Sequence, residues 1–246
     1  LTCAINIGEQ LLMSGAEISR VEDTIQRICN AYGIRQSHIF SIASCIIVTL
    51  ETKDRQWITQ TRRILGYGTD MWKLDRLNDL SRRICATQPS FEVIDREYEK
   101  ILKGPTYSPA VQCAVYAMTA GAFAVFFGGN LWDGFAALFV GALIRVTLYA
   151  FAAIHMKAIF SNILCSLISG MACILMCRVG PGQHVEMIMI GNIMLLIPGV
   201  LMTNSFRDFI SGDMISGLLH FSEAMITAVC VAVGFIFSKM LLGGML

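Results

Sequence analysis

The sequence predicts an α-helical integral membrane protein with five transmembrane helices and an N-terminal cytosolic α/β domain. Apolar residues make up 55% of the 246 residues and mean hydropathy is +0.61, which excludes a disordered or collagen-like chain. Charge is also unevenly distributed, because residues 1–110 hold 27 of the 37 Asp, Glu, Lys and Arg. We therefore expect a polar domain in residues 1–104 and a five-span transmembrane domain in residues 105–246.

Net charge and cysteine content exclude further classes of protein. The formal net charge is +1, so no basic footprint for nucleic acid is present. The nine cysteines are scattered, which argues against a disulfide framework. Cys173 and Cys177 lie one helical turn apart without a neighbouring histidine, so packing explains them better than a metal site. The sequence predicts no metal site and no cofactor.

The polar domain contains an amphipathic helix. Apolar residues recur at positions 18, 21, 25, 28 and 32, the spacing of one helix face. Ser14 and Glu17 have the spacing of a capping box, which predicts that the helix starts there. Arg20 and Glu22 fall among the polar positions, which we interpret as a solvated face.

A β-hairpin and two helices follow in the polar domain. Residues 38–50 and 56–64 are rich in β-branched residues and flank the polar segment ETKDR, which predicts two strands joined by a turn. Residues 72–87 and 91–102 are predicted helices separated by Pro89. Gly104 and Pro105 mark the hinge into the membrane.

Five windows in the second half are long enough to cross a bilayer, which takes about 20 residues. Three carry no charge, whereas Arg145 interrupts one and His220 and Glu223 interrupt another. The windows are 111–132, 134–154, 158–177, 187–206 and 214–238. Because cytoplasmic segments retain Lys and Arg, we expect the N-terminal domain in the cytosol and the C-terminus outside.

Arg145 lies near the middle of its window, where a cation costs about 2.5–3.5 kcal/mol on insertion scales. It therefore requires a partner or a hydrated cavity. In one interpretation its guanidinium holds the carboxylate of a substrate through two parallel hydrogen bonds. In the other it forms a permanent salt bridge to Glu223 or Asp208, or extends to the membrane interface, and the sequence leaves both open.

Pro198 and Gly199 lie in the middle of the fourth window. Proline removes a backbone donor, so we expect the helix to kink or break there. A broken helix exposes backbone groups at the depth where transporters bind substrate. Further hydrogen-bonding groups near the break come from Asn192, Thr203, Asn204 and Ser205.

The last window carries a polar stripe, because polar residues recur there every three or four positions. Its members are Asp213, Ser216, His220, Glu223, Thr227 and Cys230. In lipid such a stripe faces protein or water. We interpret His220 and Glu223 as a proton-coupling pair, with Asp208 and Asp213 at the inner mouth. A polar seam between helices with no transport role is the alternative.

Two segments of the chain resemble the amino-terminal half of the threonine/serine exporter family. The first is SGAEISRVEDTIQRICNAYG, which contains Gly15, Glu17, Arg20 and Glu22, and the second is LLIPGVLMTNSFRDFISGDMISGLLHFSEA. The resemblance covers nearly the whole chain. It implies a proton-driven exporter of small amino acids or, in related members, of dicarboxylates such as succinate, and not an enzyme.

The resemblance also implies partners and a location. Family members are fused or split into two polypeptides, so we expect a second, smaller membrane subunit and a higher homo-oligomer in the cytoplasmic membrane of a prokaryote. Substrate would bind to Arg145, Asn192, Pro198, Gly199, Asn204 and Ser205. The rival functions are a membrane sensor or scaffold that transports nothing, and an intramembrane hydrolase that uses Asp208 and Asp213.

Overall fold

A computed structural model describes residues 1–52, 54–66 and 68–242 of the chain. The chain forms two compact units. The first contains Leu1–Pro105 together with Val200–Ser222, and the second contains Thr106–Gly199 and the chain from Glu223 onward. Residues 200–222, which the sequence assigns to the transmembrane domain, therefore belong to the same compact unit as the polar residues of the N-terminal half.

The first unit combines helices with a three-stranded sheet. Its helices are α1 (Thr2–Met13), α2 (Ile18–Ala31), α3 (Met71–Thr87), α4 (Phe91–Leu102), α9 (Gly199–Ser211) and the first residues of α10 (Met214–Leu242). Its strands are β1 (Ser37–Ile42), β2 (Cys45–Glu51) and β3 (Trp57–Arg63). The strands are antiparallel in the order β1–β2–β3, with Ile39 opposite Val48 and Val48 opposite Gln60.

The core of the first unit contains buried residues of the helices α1–α4 and of the central strand, and α1 is the helix that packs against this strand. Alternate residues of β2 are buried, as expected for a sheet with one covered face. The apolar face predicted for α2 is confirmed, because Ile18, Val21, Ile25 and Ile28 are all buried in this core. Burial of this face stabilises the helix more than its own propensity does.

Two local predictions for the first unit are wrong. Residues 38–50 form two strands instead of one, because the chain reverses at Ala43 and Ser44. Ser14 caps the C-terminal end of α1, and α2 starts at Ile18 with Glu17 in the N-cap position, so no capping box forms. The sequence pattern did not reveal α1. Lys53, in the predicted ETKDR turn, lies outside the described residues.

The second unit consists of helices: α5 (Pro109–Phe126), α6 (Leu131–Ala153), α7 (Ala158–Arg178), α8 (Val185–Ile193) and the rest of α10. Small residues allow these helices to approach closely, as in other membrane bundles. A Cβ atom on Gly191 of α8 would lie only 2.6 Å from the backbone oxygen of Ala120 in α5. The unit's core is built from residues of all five helices.

Four helices in the described part of the chain are long and apolar enough to cross a membrane: α5, α6, α7 and α10. The predicted window 187–206 is not one of them, because the chain leaves helical geometry between Ile193 and Gly199. The predicted break at Pro198 is therefore present, and a fifth span stays a proposal. The window 111–132 is also too long, since α5 ends at Phe126. The predicted outer C-terminus falls on residues 243–246, outside the described part.

Candidate functional site

A buried pair of a carboxylate and an imidazole lies in the first unit, beside the turn that connects α9 to α10. Asp208 Oδ2 is 2.7 Å from His220 Nδ1, and only 2% and 7% of the two side chains are exposed. A charge buried to this extent loses its hydration by water, which costs free energy. A close polar or charged partner reduces this cost, and each of these two groups is such a partner for the other. Sequence spacing paired His220 with Glu223. In the structure Asp208 lies against His220, and Glu223 has an exposed side chain one turn further along α10. The coupling of His220 with Glu223 stays a prediction.

The turn that brings Asp208 to His220 is a Schellman motif. Gly212 has a φ of +90°, which favours glycine. Its backbone N–H donates to Phe209 O, and the N–H of Asp213 donates to Asp208 O at 2.9 Å, the two hydrogen bonds that define this helix end. The Ser205 hydroxyl also donates to the Gly217 carbonyl at 2.9 Å. The predicted residues Ser205, Asp208 and Asp213 therefore belong to one hydrogen-bonded turn.

Two further carboxyl groups lie near this pair. Burial and the negative charge of Asp208 both raise the pKa of Asp213. Burial, followed by the charge of Asp213, also raises the pKa of Glu22, although its carboxylate accepts a 2.6 Å hydrogen bond from the Ser41 N–H. The sequence indicated a solvated role for Glu22. No pattern within α2 could show that its partner lies nearly two hundred residues away.

The two segments that carry the family resemblance contact each other within the first unit. Glu17, at the start of α2, forms an ion pair with Arg207 of α9. Asn204 Nδ2 donates to Gly15 O at 3.3 Å. Arg20, the remaining member of the first segment, is exposed.

In the second unit, Arg145 of α6 contacts neutral groups of α5 and of its own helix. Its Nε donates to Gln112 Oε1 at 2.9 Å, and a second guanidinium nitrogen contacts the same oxygen. The guanidinium carbon lies 5.8 Å from the ring centre of Tyr116 and 6.0 Å from that of Tyr149, a cation–π arrangement. Among the described residues no carboxylate forms an ion pair with Arg145, so none of them neutralises its charge.

Asn192 of α8 presents an acceptor in a fully buried position of the second unit. Its Nδ2 donates to Ile188 O at 2.9 Å. Its Oδ1 is buried and accepts no hydrogen bond from the described residues. Such an atom costs free energy unless a further donor reaches it. Pro198 and Gly199 follow at the break between α8 and α9.

A second buried carboxylate, which the sequence did not single out, lies at the start of α6. Asp133 is fully buried. Its Oδ1 accepts from the N–H groups of Gln183 and His184 at 2.7 and 2.8 Å. Its Oδ2 accepts from the Asn130 N–H at 3.0 Å and lies 2.8 Å from His184 Nδ1. Both oxygens are therefore saturated, which indicates a structural role.

The described residues contain no group of three or more His, Cys, Asp or Glu side chains arranged to hold a metal ion. The chemistry available at the sites above is therefore hydrogen bonding, proton exchange between carboxyl and imidazole groups, and attraction of an anion by Arg145.

Comparison with known proteins points to transport. Residues 2–242 match the ThrE family model, whose description is "Putative threonine/serine exporter". The chain is 24% identical to the "Threonine/serine exporter" of Corynebacterium glutamicum over 92% of this chain and 48% of that protein. It is 22% identical to the "Probable threonine/serine exporter" of Mycobacterium tuberculosis (strain ATCC 25618 / H37Rv) over 97% of this chain and 45% of that protein. The chain thus spans about half the length of these relatives. No solved structure matches it.

Proposed function

Because the chain belongs to the threonine/serine exporter family, we propose that it is a component of a proton-coupled secondary exporter of small amino acids. The match of the family model to residues 2–242 carries this proposal. Proteins of this family are described as exporters, and exporters are not a class of enzymes. From the resemblance of the chain to the amino-terminal half of this family, we also propose that it acts with a second, smaller membrane subunit.

The Asp208–His220 pair is the proposed proton-coupling site. The imidazole of a histidine can gain or lose a proton near neutral pH, and His220 Nδ1 lies 2.7 Å from Asp208 Oδ2. A change in the number of protons held by this buried pair changes its net charge, which favours a different arrangement of the surrounding groups. Asp213 and Glu22 extend the acidic cluster, and Glu223 stays a candidate further along α10. A proton gradient can bias the conformation through such a pair.

Arg145 is the proposed binding group for the substrate carboxylate. Its hydrogen-bond partner is the neutral amide of Gln112, and the two tyrosine rings do not neutralise its charge. An arginine of this kind can bind the carboxylate of an amino acid or of a dicarboxylate, because its guanidinium N–H groups donate hydrogen bonds to the carboxylate oxygens. Export of a dicarboxylate such as succinate is therefore the second candidate. We propose that Asn192, whose Oδ1 accepts no hydrogen bond from the described residues, and the break at Pro198 and Gly199 contribute further polar groups. Asn204 and Ser205 stay candidates on α9.

Efflux from proteoliposomes tests this function. Vesicles that hold labelled threonine, serine or succinate would contain the chain alone, the chain with its second subunit, or neither. An imposed proton gradient should accelerate efflux of chemically unaltered substrate. Efflux of succinate without the amino acids would select the second candidate. Absence of efflux for all substrates with both subunits present would support the sensor or scaffold and contradict the proposal.

Two substitutions separate the proposed roles. Asp208→Asn should abolish the response to the proton gradient, whereas Asp79→Asn, at an exposed carboxylate of α3, should leave it unchanged. Arg145→Gln should abolish binding of the substrate carboxylate and therefore efflux. Equal efflux by folded Arg145→Gln and wild-type protein would show that this carboxylate role is wrong.

A further inference from the structure

We propose that the start of α2 positions α9 for export, with Glu17 and Gly15 as positioning residues that act through Arg207 and Asn204. This inference rests on the proposed export function, because α9 carries Asp208. It assigns a role to the N-terminal domain that neither its composition nor the family relationship defines.

The start of α2 offers a rigid surface. The segment before it is tied to the chain ahead of α3, since the N–H of Gly68 donates to Met13 O at 2.9 Å and that of Asp70 donates to Ser14 O at 3.1 Å. Gly15 has a φ of +95°, a conformation that most side chains disfavour. These bonds restrain the backbone that leads into Gly15 and Glu17.

The contacts on α9 restrain its rotation about the helix axis. Asn204 and Asp208 are four residues apart and share one helix face, whereas Arg207 lies three residues after Asn204, about 60° from it around the helix axis. Two contacts at different angles, to Gly15 O and to Glu17, oppose rotation in both directions. Because side-chain atoms lie about 5–6 Å from the axis, a rotation of about 20° moves a carboxylate by about 2 Å. Such a displacement separates Asp208 from His220.

Burial indicates that the ion pair is more than a solvent-exposed contact. Only 16% of the Glu17 side chain is exposed, against 54% of Arg207. The chain offers a matched control on the same helix, where Asp23 and Arg27 form an i,i+4 pair with 57% and 70% of their side chains exposed. Exposed pairs of this kind contribute little to stability.

Charge reversal tests the proposal in the full chain with its second subunit in proteoliposomes. Glu17→Arg and Arg207→Glu each place like charges together, and the double variant restores opposite charges. We expect each single variant to lower the maximal efflux rate by about 10- to 100-fold with an unchanged KM, the size of effect that misplacement by about 1 Å causes. The double variant should recover most of the rate. Reversal of Asp23 and Arg27, singly or together, should change nothing.

A second measurement does not depend on transport. A water-soluble carbodiimide with an amine labels accessible carboxyl groups, and mass spectrometry reports each site. Asp208, 2% exposed, should be protected in wild-type protein, labelled in both single variants and protected again in the double variant. Cys29, which is 4% exposed in the first unit, should stay protected from a thiol reagent in all of them, which shows that this unit remains folded.

Each outcome is informative. Protection of Asp208 in the single variants, or a double variant that regains neither protection nor efflux while Cys29 stays protected, would overturn the positioning role. Labelling of Cys29 in Glu17→Arg directs the test to the milder Glu17→Gln, for which the same pattern at Asp208 is required. Wild-type protein without efflux but with the expected labelling pattern would refute the export function and leave the contact between α2 and α9 established.

Discussion

The saturated carboxylate of Asp133 allows a quantitative prediction for Asp133→Asn. The side chain is fully buried and joins the loop before α6 to the loop before α8. Its two oxygens accept three backbone hydrogen bonds, from Asn130, Gln183 and His184. An asparagine keeps the shape but has only one oxygen. In either orientation its NH2 group faces a backbone N–H, so at least one donor loses its acceptor.

The expected loss follows from these contacts. A hydrogen bond to a charged group contributes about 1.5–3 kcal/mol, and an unpaired buried donor costs about 1–3 kcal/mol. The bond to the His184 ring adds little, because 59% of that side chain is exposed. With the oxygen retained towards Gln183 and His184, the loss is about 2–4 kcal/mol. That lowers the ratio of folded to unfolded protein by about 30- to 900-fold. Asp133→Ala removes all three backbone bonds and should cost more.

Chemical denaturation of the purified protein in detergent measures this loss as a shift of the unfolding midpoint. The matched control is Gln183→Ala, which keeps the backbone N–H that Asp133 accepts and removes only the exposed side-chain contact with Asn130 Nδ2. It should cost about 0.5 kcal/mol or less. If Asp133→Asn unfolds at the same denaturant concentration as Gln183→Ala, the hydrogen bonds to Asp133 do not stabilise the fold and the reasoning is refuted.

Three further predictions concern stability. Gly15→Ala should destabilise the first unit by about 1–2 kcal/mol in a denaturation series, because φ is +95° and the new Cβ would meet a backbone oxygen at 3.1 Å; unchanged stability would contradict it. Gly234→Val should reduce the yield of folded protein in size-exclusion chromatography, because a Cβ there would lie 2.6 Å from a backbone oxygen of α7. The control Gly66→Ala, at a position with open space around it, should leave this yield unchanged. Burial and the charge of Asp213 raise the pKa of Glu22 in the folded state. The unfolded chain therefore loses this proton at a lower pH than the folded chain does. The free energy of unfolding should fall as the pH rises from the ordinary pKa of a glutamate through the raised pKa of Glu22. Glu22→Gln should flatten that part of the stability curve, and an equally steep curve would show that Glu22 does not contribute.

Sequence patterns predicted those elements whose cause lies within a few residues. The apolar face of α2 repeats along one helix, and α3 and α4 begin and end within one residue of the predicted bounds. The break before Gly199 follows from the chemistry of Pro198 itself. By contrast, α1 was missed, and the run of β-branched residues at 38–50 hid a reversal at Ala43 and Ser44, because both adjacent strands favour the same residue types.

The partners of the charged side chains could not be predicted in the same way. The sequence paired His220 with Glu223, one helical turn away. For Arg145 it left open a substrate carboxylate, a salt bridge to Glu223 or Asp208, and extension to the membrane interface. The structure pairs His220 with Asp208 across a turn and gives Arg145 the neutral Gln112, 33 positions earlier in the chain. Helical spacing identifies neighbours on the same helix, but it carries no information about which face of another helix packs against them.

The amino-acid sequence by itself determined the apolar windows, the amphipathic face of α2, the interruption at Pro198 and the family to which the chain is similar, since these depend on composition and on near neighbours. Tertiary structure alone decided that Asn204 meets Gly15 across 189 positions and that Asp133 meets His184 across 51. Contacts at such separations form only when whole elements pack. Their energies depend on distance, burial and direction in space, which no local pattern of residues encodes.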